Sequence, residues 1–427
     1  MKKIIFCVIL SVVFFTGPIF AANSELTLQE AFQRSLMRSE SVAITGEEMA
    51  QAQARFYRSF DYFVPTAHFE VTRTWQDTRG GSTSSEVASD AQRQMTPQKK
   101  FVFSQPIFSG FKELAALQGA GADKKQQAYA LKRAKELLFI DVMEAFYAVL
   151  ENEKDEEALT TTHELLSKRL QELEGRIKLG RSRESESKTS LADSKLLESD
   201  LVNARSKTRV AKNLLEFYLG GSLEGVTLKD DPEEEPAPVK TLGAQRSKSR
   251  ADVLADEQGL IVADKKVMAA NADLFPTLSL DGDYYAERVG FQSGNDWDLK
   301  LKLDLPIFQV GQTMGDITQA DSNRKKARLK YEETGRLADL DIRNASQALE
   351  SARESELALQ EAGKASHENY DILTEEYRSN LVNNLEVLDA LRRDLDIQRR
   401  YHEAYYAARK SYWRLKVALG DVPGVAS

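Results

Sequence analysis

The stretch NDWDLKLKLDLPIFQVG, from Asn295 to Gly311, decides how the rest of the chain is read. In it Leu299, Leu301, Leu303 and Leu305 alternate with Asp298, Lys300, Lys302 and Asp304. Successive side chains of a β-strand point to opposite faces, so the alternation sets a leucine face against a charged one. Pro306 then ends the run, because it has no N–H to carry a ladder further. A soluble sheet resting on an apolar core would satisfy the pattern. A barrel wall with lipid outside and water inside would satisfy it too.

The same pattern recurs elsewhere. TLSLDGDYYAE sets Leu278, Leu280, Gly282 and Tyr284 against Ser279, Asp281, Asp283 and Tyr285. TAHFEVTRTW alternates Ala67, Phe69, Val71 and Trp75 with His68, Glu70, Thr72 and Thr74, with Arg73 breaking the apolar row. FVFSQPIF places Phe101 and Phe103 on one face. Trp75 and Trp297 stand at the loop ends of their strands, where an interfacial aromatic belt belongs. Few other apolar elements are on hand to cover these faces, which favours the barrel. Four strands cannot close a barrel wide enough to keep Asp298, Lys300, Lys302 and Asp304 wet, and open edges are forbidden in lipid. The strands therefore predict an oligomer that shares one barrel, with those four residues facing its lumen.

The two hairpins belong to an internal repeat. Pro106 and Pro306, Gly180 and Asn380, and Gly220 and Gly420 are each separated by 200 residues. Pro65 and Pro276 keep a separation of 211, and the polar, Gly/Ser-rich stretch after Trp75 absorbs the difference. Each copy reads helix, strand, loop, strand and very long helix. Residues from Ser24 to about Phe60, and from about Leu242 to Asp273, are predicted helical. The runs Phe111–Leu179 and Gln312–Ser379 contain no proline and are rich in strong helix formers. Each would rise roughly 100 Å as a helix, a length that calls for coiled-coil packing. The resulting division is a leader at 1–22, a first repeat at 23–219, an acidic Pro-rich linker at 220–238, a second repeat at 239–420 and a tail at 421–427.

Composition narrows the function. The 427 residues carry a formal charge of −8 with both signs mixed, which argues against nucleic acid as a partner. Lys2 and Lys3, an apolar core, and Ala21 and Ala22 read as a secretory signal; an N-terminal anchor is the alternative. Cys7, the sole cysteine, lies inside that leader, which leaves the mature chain no disulfide and no thiolate ligand. Among the histidines His68, His163, His367 and His402, the last three precede glutamate, but none has a second histidine at the spacing of a zinc hydrolase. No enzyme and no cofactor is expected.

LTLQEAFQRSLMRSESV, FVPTAHF, LFPTLSL, the pair SQPIFSG and DLPIFQVG, and above all YRSNLVNNLEVLDALRRDL (Tyr377–Leu395) resemble the TolC-like outer membrane efflux proteins over essentially the mature chain. The resemblance implies a mixed α/β membrane protein. It would be a homotrimer giving four strands per chain to a twelve-stranded barrel in outer-membrane lipid, with the long helices forming a hollow periplasmic tube. Gly180 and Asn380 fall at the turns of its tips, where a periplasmic adaptor would dock on behalf of an inner-membrane transporter. Family members usually have glycine at the second turn as well; asparagine tolerates the same left-handed backbone. The resemblance also places Glu386 and Asp389, which share a helical face at i,i+3, at an acidic, cation-favouring entrance. It pairs Glu186 with Tyr377, makes Ser185 a further tip contact, and sets Val382 where a gate arginine is usual. The missing lipid-attachment cysteine points to the non-acylated branch. The function implied is an exit duct for efflux. A duct for type I protein secretion is one alternative, and an exported coiled-coil scaffold that transports nothing is another.

Overall fold

Pro65 and Pro276 each precede an alternating run, and each run forms a strand. In a computed structural model, which describes residues 24–75, 95–230, 247–289, 293–307 and 310–425, these are β2 (Thr66–Trp75) and β5 (Thr277–Arg288). Each pairs with the other strand of its repeat, β3 (Met95–Ser109) or β6 (Trp297–Asp304). The strands form one antiparallel sheet in the order β2-β3-β5-β6. The leader, the stretch 76–94 and the linker beyond Asp230 lie outside the described residues.

The helices follow the predicted plan with one correction. The segment expected to be helical from Ser24 opens instead as β1 (Ser24–Leu26), then α1 (Leu28–Arg38) and α2 (Glu40–Arg58). Ser39 causes the break: its backbone is extended (φ −63°, ψ 113°) and its side chain accepts from the Val42 N–H at 3.4 Å, capping α2. The long runs form α3 (Lys112–Lys178) and α6 (Val310–Arg378), which are followed by α4 (Glu184–Leu219) and α7 (Asn384–Ala418). The acidic Pro-rich linker contains β4 (Val226–Leu228), which pairs in parallel with β1 and sets Leu26 against Leu228. In the second repeat, the predicted helix start near Leu242 lies outside the described residues, and α5 (Ala251–Ala272) follows a short 3-10 turn at Ser247–Ser249.

The described chain divides into two units, each built from segments of both repeats. One contains residues up to 38, 141–235 and 354–410. Its core is a series of leucine layers: Leu159, Leu197 and Leu201; then Leu166, Leu388 and Leu391; then Leu173, Tyr377 and Val387. His402 of α7 also belongs here. Burial, and then the charge of Lys154, hold its pKa below the ordinary 6.5, against the pull of Glu157 and Asp155. The folded state therefore resists protonation, so His402 costs nothing above that value and destabilises as pH falls through it. His402→Gln should flatten the loss of melting temperature between neutral and mildly acidic pH; an unchanged slope would show that His402 does not contribute.

The other unit contains residues 39–140, 236–353 and 411–427. It holds the sheet, and its helical core includes Leu349, Tyr412 and Leu415, with Ala345 packed against them. The junction from β3 to α3 is sharp, because Gly110 (φ 63°) and Phe111 (φ 68°) are both left-handed. Pro106 sits inside β3, next to a register shift between Pro106 and Phe108 that accommodates its missing N–H.

Candidate functional site

In the sheet unit, register sorts the side chains into two faces. Leu278 faces Leu303, Leu280 faces Leu301, Gly282 faces Leu299 and Tyr284 faces Trp297. Phe101 and Phe103 extend this apolar face, with Phe69 and Phe101 at a centroid distance of 4.8 Å. It is open: Leu299, Leu301 and Leu303 are each 60% or more exposed. On the opposite face the four residues expected to line a lumen all carry charge partners. Lys300 lies 3.1 Å from Asp298 and 3.7 Å from Asp283, and Lys302 lies 3.9 Å from Asp304. Lys100 reaches Asp283 at 3.2 Å, the Ser104 hydroxyl donates to Asp281 at 2.6 Å, and the Tyr285 hydroxyl donates to Asp298 at 2.9 Å. Such a ladder of both signs suits water rather than lipid.

In the other unit, two interhelical turns have the same geometry. The helix before Gly180 ends with Arg181 N–H donating to Arg176 C=O at 2.8 Å and Gly180 N–H donating to Ile177 C=O at 2.9 Å. The helix before Asn380 ends in the same way, from Leu381 to Glu376 at 2.9 Å and from Asn380 to Tyr377 at 3.0 Å. Both are Schellman caps, which need a left-handed residue after the helix. Gly180 (φ 70°) and Asn380 (φ 60°) supply it. Ser185 is exposed just beyond the first turn, and its carbonyl accepts from Thr189 Oγ1 at 3.0 Å.

The acidic residues after the turns have local partners. The Asn383 side chain accepts from the Leu385 and Glu386 N–H groups at 2.9 and 3.2 Å, and its amide donates to Glu386 Oε1 at 2.5 Å. Glu386 thus closes a capping box with Asn383, a role legible in the N-x-x-E spacing that the sequence reading passed over. Asp389 lies 3.3 Å from Arg392, which also pairs with Asp193 of α4. Glu386 and Asp389 are both exposed at the start of α7, as their spacing predicts.

Within the chain, Glu186 and Tyr377 take different partners. Glu186 accepts from the Ser182 hydroxyl at 2.5 Å. The Tyr377 ring is 5% exposed and lies between two guanidinium groups, Arg169 at 3.8 Å and Arg176 at 4.3 Å. Val382 packs against the cluster of Leu173, Tyr377 and Val387. Arg169, which sequence reading did not single out, is the centre of the arrangement. Its Nε donates to Asn384 Oδ1 at 3.0 Å, and the Asn384 amide donates to Ser190 Oγ at 3.2 Å. Arg169, Asn384 and Ser190 are all buried. Burial pulls the Arg169 pKa below the ordinary arginine value, with Tyr377 and Glu172 opposing.

The family model described as "Outer membrane efflux protein" matches residues 244–421. Outer membrane protein OprJ of Pseudomonas aeruginosa is 29% identical over 199 residues, 44% of this chain and 41% of that protein. Cation efflux system protein CusC of Escherichia coli is 25% identical over 231 residues, 52% of this chain and 50% of that protein. Outer membrane protein VceC of Vibrio cholerae superposes with a TM-score of 0.79 at 19% identity, covering 92% of this chain and 96% of that one. The second half of the chain is thus similar to the outer membrane efflux proteins. The sequence matches span about half the length of the two curated relatives. The superposition shows that nearly all of this chain, including the first repeat that the family model leaves unmatched, shares the fold of VceC.

Proposed function

We propose that the protein is an outer-membrane exit duct. Three copies share one twelve-stranded barrel, and the paired helix turns form a periplasmic entrance that receives substrate from an adaptor and an inner-membrane transporter. The observation that carries this is the sheet. One face is exposed leucine and aromatic, the other is a paired-charge ladder, and its outer strands β2 and β6 each have a neighbour on one side only among the described residues. Lipid, water and further copies of the chain are the three partners such a sheet requires. The test is fractionation of expressing cells, heat-modifiable migration of the oligomer and conductance in planar bilayers. A soluble periplasmic protein that gives no conductance would overturn the reading in favour of an exported scaffold.

Charge selectivity is set at the entrance by Glu386 and Asp389, with Arg392 offsetting part of the Asp389 charge. The double variant Glu386→Gln/Asp389→Asn should lose cation preference while still conducting, since glutamine can still close the capping box with Asn383. Arg392→Gln should raise cation preference by releasing Asp389. Reversal potentials under a salt gradient measure both, and unchanged values would remove the entrance role from these residues.

A further inference from the structure

We infer that the barrel seam between neighbouring copies has one register, in which β2 of one copy pairs antiparallel with β6 of the next and sets Glu70 against Lys302 and His68 against Asp304. This rests on the exit-duct reading and adds the chemistry by which copies recognise each other. Strand direction alternates along β2-β3-β5-β6, so β6 meets the next β2 antiparallel.

Three constraints select the register. The first is the faces. A one-residue slip would turn the leucines of β6 inward, so odd-numbered residues of β2 must meet odd-numbered residues of β6. The second is hydrogen bonding. Tyr285 N–H donates to Asp296 C=O at 2.8 Å, which sets the alternation between β5 and β6. Even-numbered residues of β6 then bond inward, and odd-numbered ones offer their N–H and C=O to the open edge. Carried through β3, the same alternation turns the odd-numbered residues of β2 outward. Odd pairs would therefore form the ladder, and even pairs would stand closest, about 4.5 Å between Cα atoms.

The third constraint is charge. Aligning Trp75 with Trp297 pairs all eight residues of β6 with His68–Trp75. Phe69 then meets Leu303 and Val71 meets Leu301 on the apolar face, while Glu70 meets Lys302 and His68 meets Asp304 on the polar one. Glu70 is 43% exposed, and Lys302 and Asp304 are 66% and 64% exposed. A slip of two residues one way puts Glu70 against Asp304, and like charges directly opposite are destabilising. The other way keeps an opposite-charge pair, Glu70 with Lys300, but sets Asp304 against Thr66 and Trp297 against Arg73, so it loses both the His68–Asp304 contact and the pairing of the two tryptophans.

Cysteine pairs in the full chain on a Cys7→Ser background test the register. In isolated outer membranes, Glu70→Cys/Lys302→Cys should oxidise to a dimer and trimer ladder that collapses with reductant, because close antiparallel pairs satisfy disulfide geometry. Glu70→Cys/Lys300→Cys and Glu70→Cys/Asp304→Cys should stay monomeric after boiling. Stronger linking by either of these pairs overturns the register. No linking in any pair while unboiled protein migrates as an oligomer overturns the register but leaves the duct. Absence of any oligomer overturns both.

Discussion

Gly110→Ala is expected to cost about 3–5 kcal/mol, among the largest effects of any single substitution here. Two penalties coincide. The residue is left-handed (φ 63°), a conformation that costs an L-residue about 1–2 kcal/mol. A Cβ built on it would also lie 2.5 Å from the carbonyl oxygen of Ala272 and 3.0 Å from the Phe275 Cβ. Backbone cannot swing aside as a flexible side chain can, so the end of α5 or the β3–α3 junction must move. Phe111 is already left-handed and holds its ring edge-on to Phe108 at 5.3 Å, so the turn has little freedom to absorb the shift. Thermal melting followed by far-ultraviolet circular dichroism measures the loss. Gly311→Ala is the control: nothing lies within 4 Å of that Cβ, and alanine should match or slightly exceed glycine in a helix. Equal melting of the two variants would show that the junction is not strained as described.

Arg169→Ala should cost about 2–4 kcal/mol, through three losses at one point. The charge-assisted hydrogen bond to buried Asn384 contributes about 1.5–3 kcal/mol, and the desolvated guanidinium over Tyr377 about 2 kcal/mol. Truncation also leaves a cavity between helices. Relief of the guanidinium's own desolvation offsets part of the sum, since Arg169 Nη2 has no partner in the buried site. Arg169→Met separates packing from polarity. It refills most of the volume but leaves Asn384 Oδ1 without its donor, for a loss of about 1–3 kcal/mol. Wild-type melting of Arg169→Met would assign the effect of the alanine variant to the cavity alone.

Much of the architecture was legible because it rests on local rules. Period-two alternation marked all four strands of the sheet, and the constant separation of 200 residues tied Gly180 to Asn380. Asn380 was readable as a turn despite departing from glycine, because asparagine is one of the few residues that accept its φ of 60°. Other features were hidden. The break at Ser39 lies inside a long helix-compatible pattern, and hydrophobic periodicity does not register a single cap. Three-residue β1 and β4 are too short to show alternation, and they exist only because they pair with each other across some 200 residues.

The acidic pair Glu386 and Asp389 shows the same boundary. The spacing of Glu386 and Asp389 placed both on one exposed face of α7. Their partners Asn383 and Arg392 are local, three residues away, but that Arg392 is shared with Asp193 of α4 depended on which helix packed nearby. Tyr377 was marked as a gate residue, whereas its two guanidinium neighbours come from α3, some 200 residues earlier.

By itself the sequence determined the two-faced strands, the duplicated plan, the helix lengths and the left-handed turns, since each follows from side-chain periodicity or the φ preference of one residue. Only the tertiary structure decided that each unit mixes segments of both repeats, that Arg169 binds Asn384 and lies over Tyr377, and that Gly110 must stay glycine. Those outcomes depend on distances between residues far apart in the chain, and no local pattern encodes such distances.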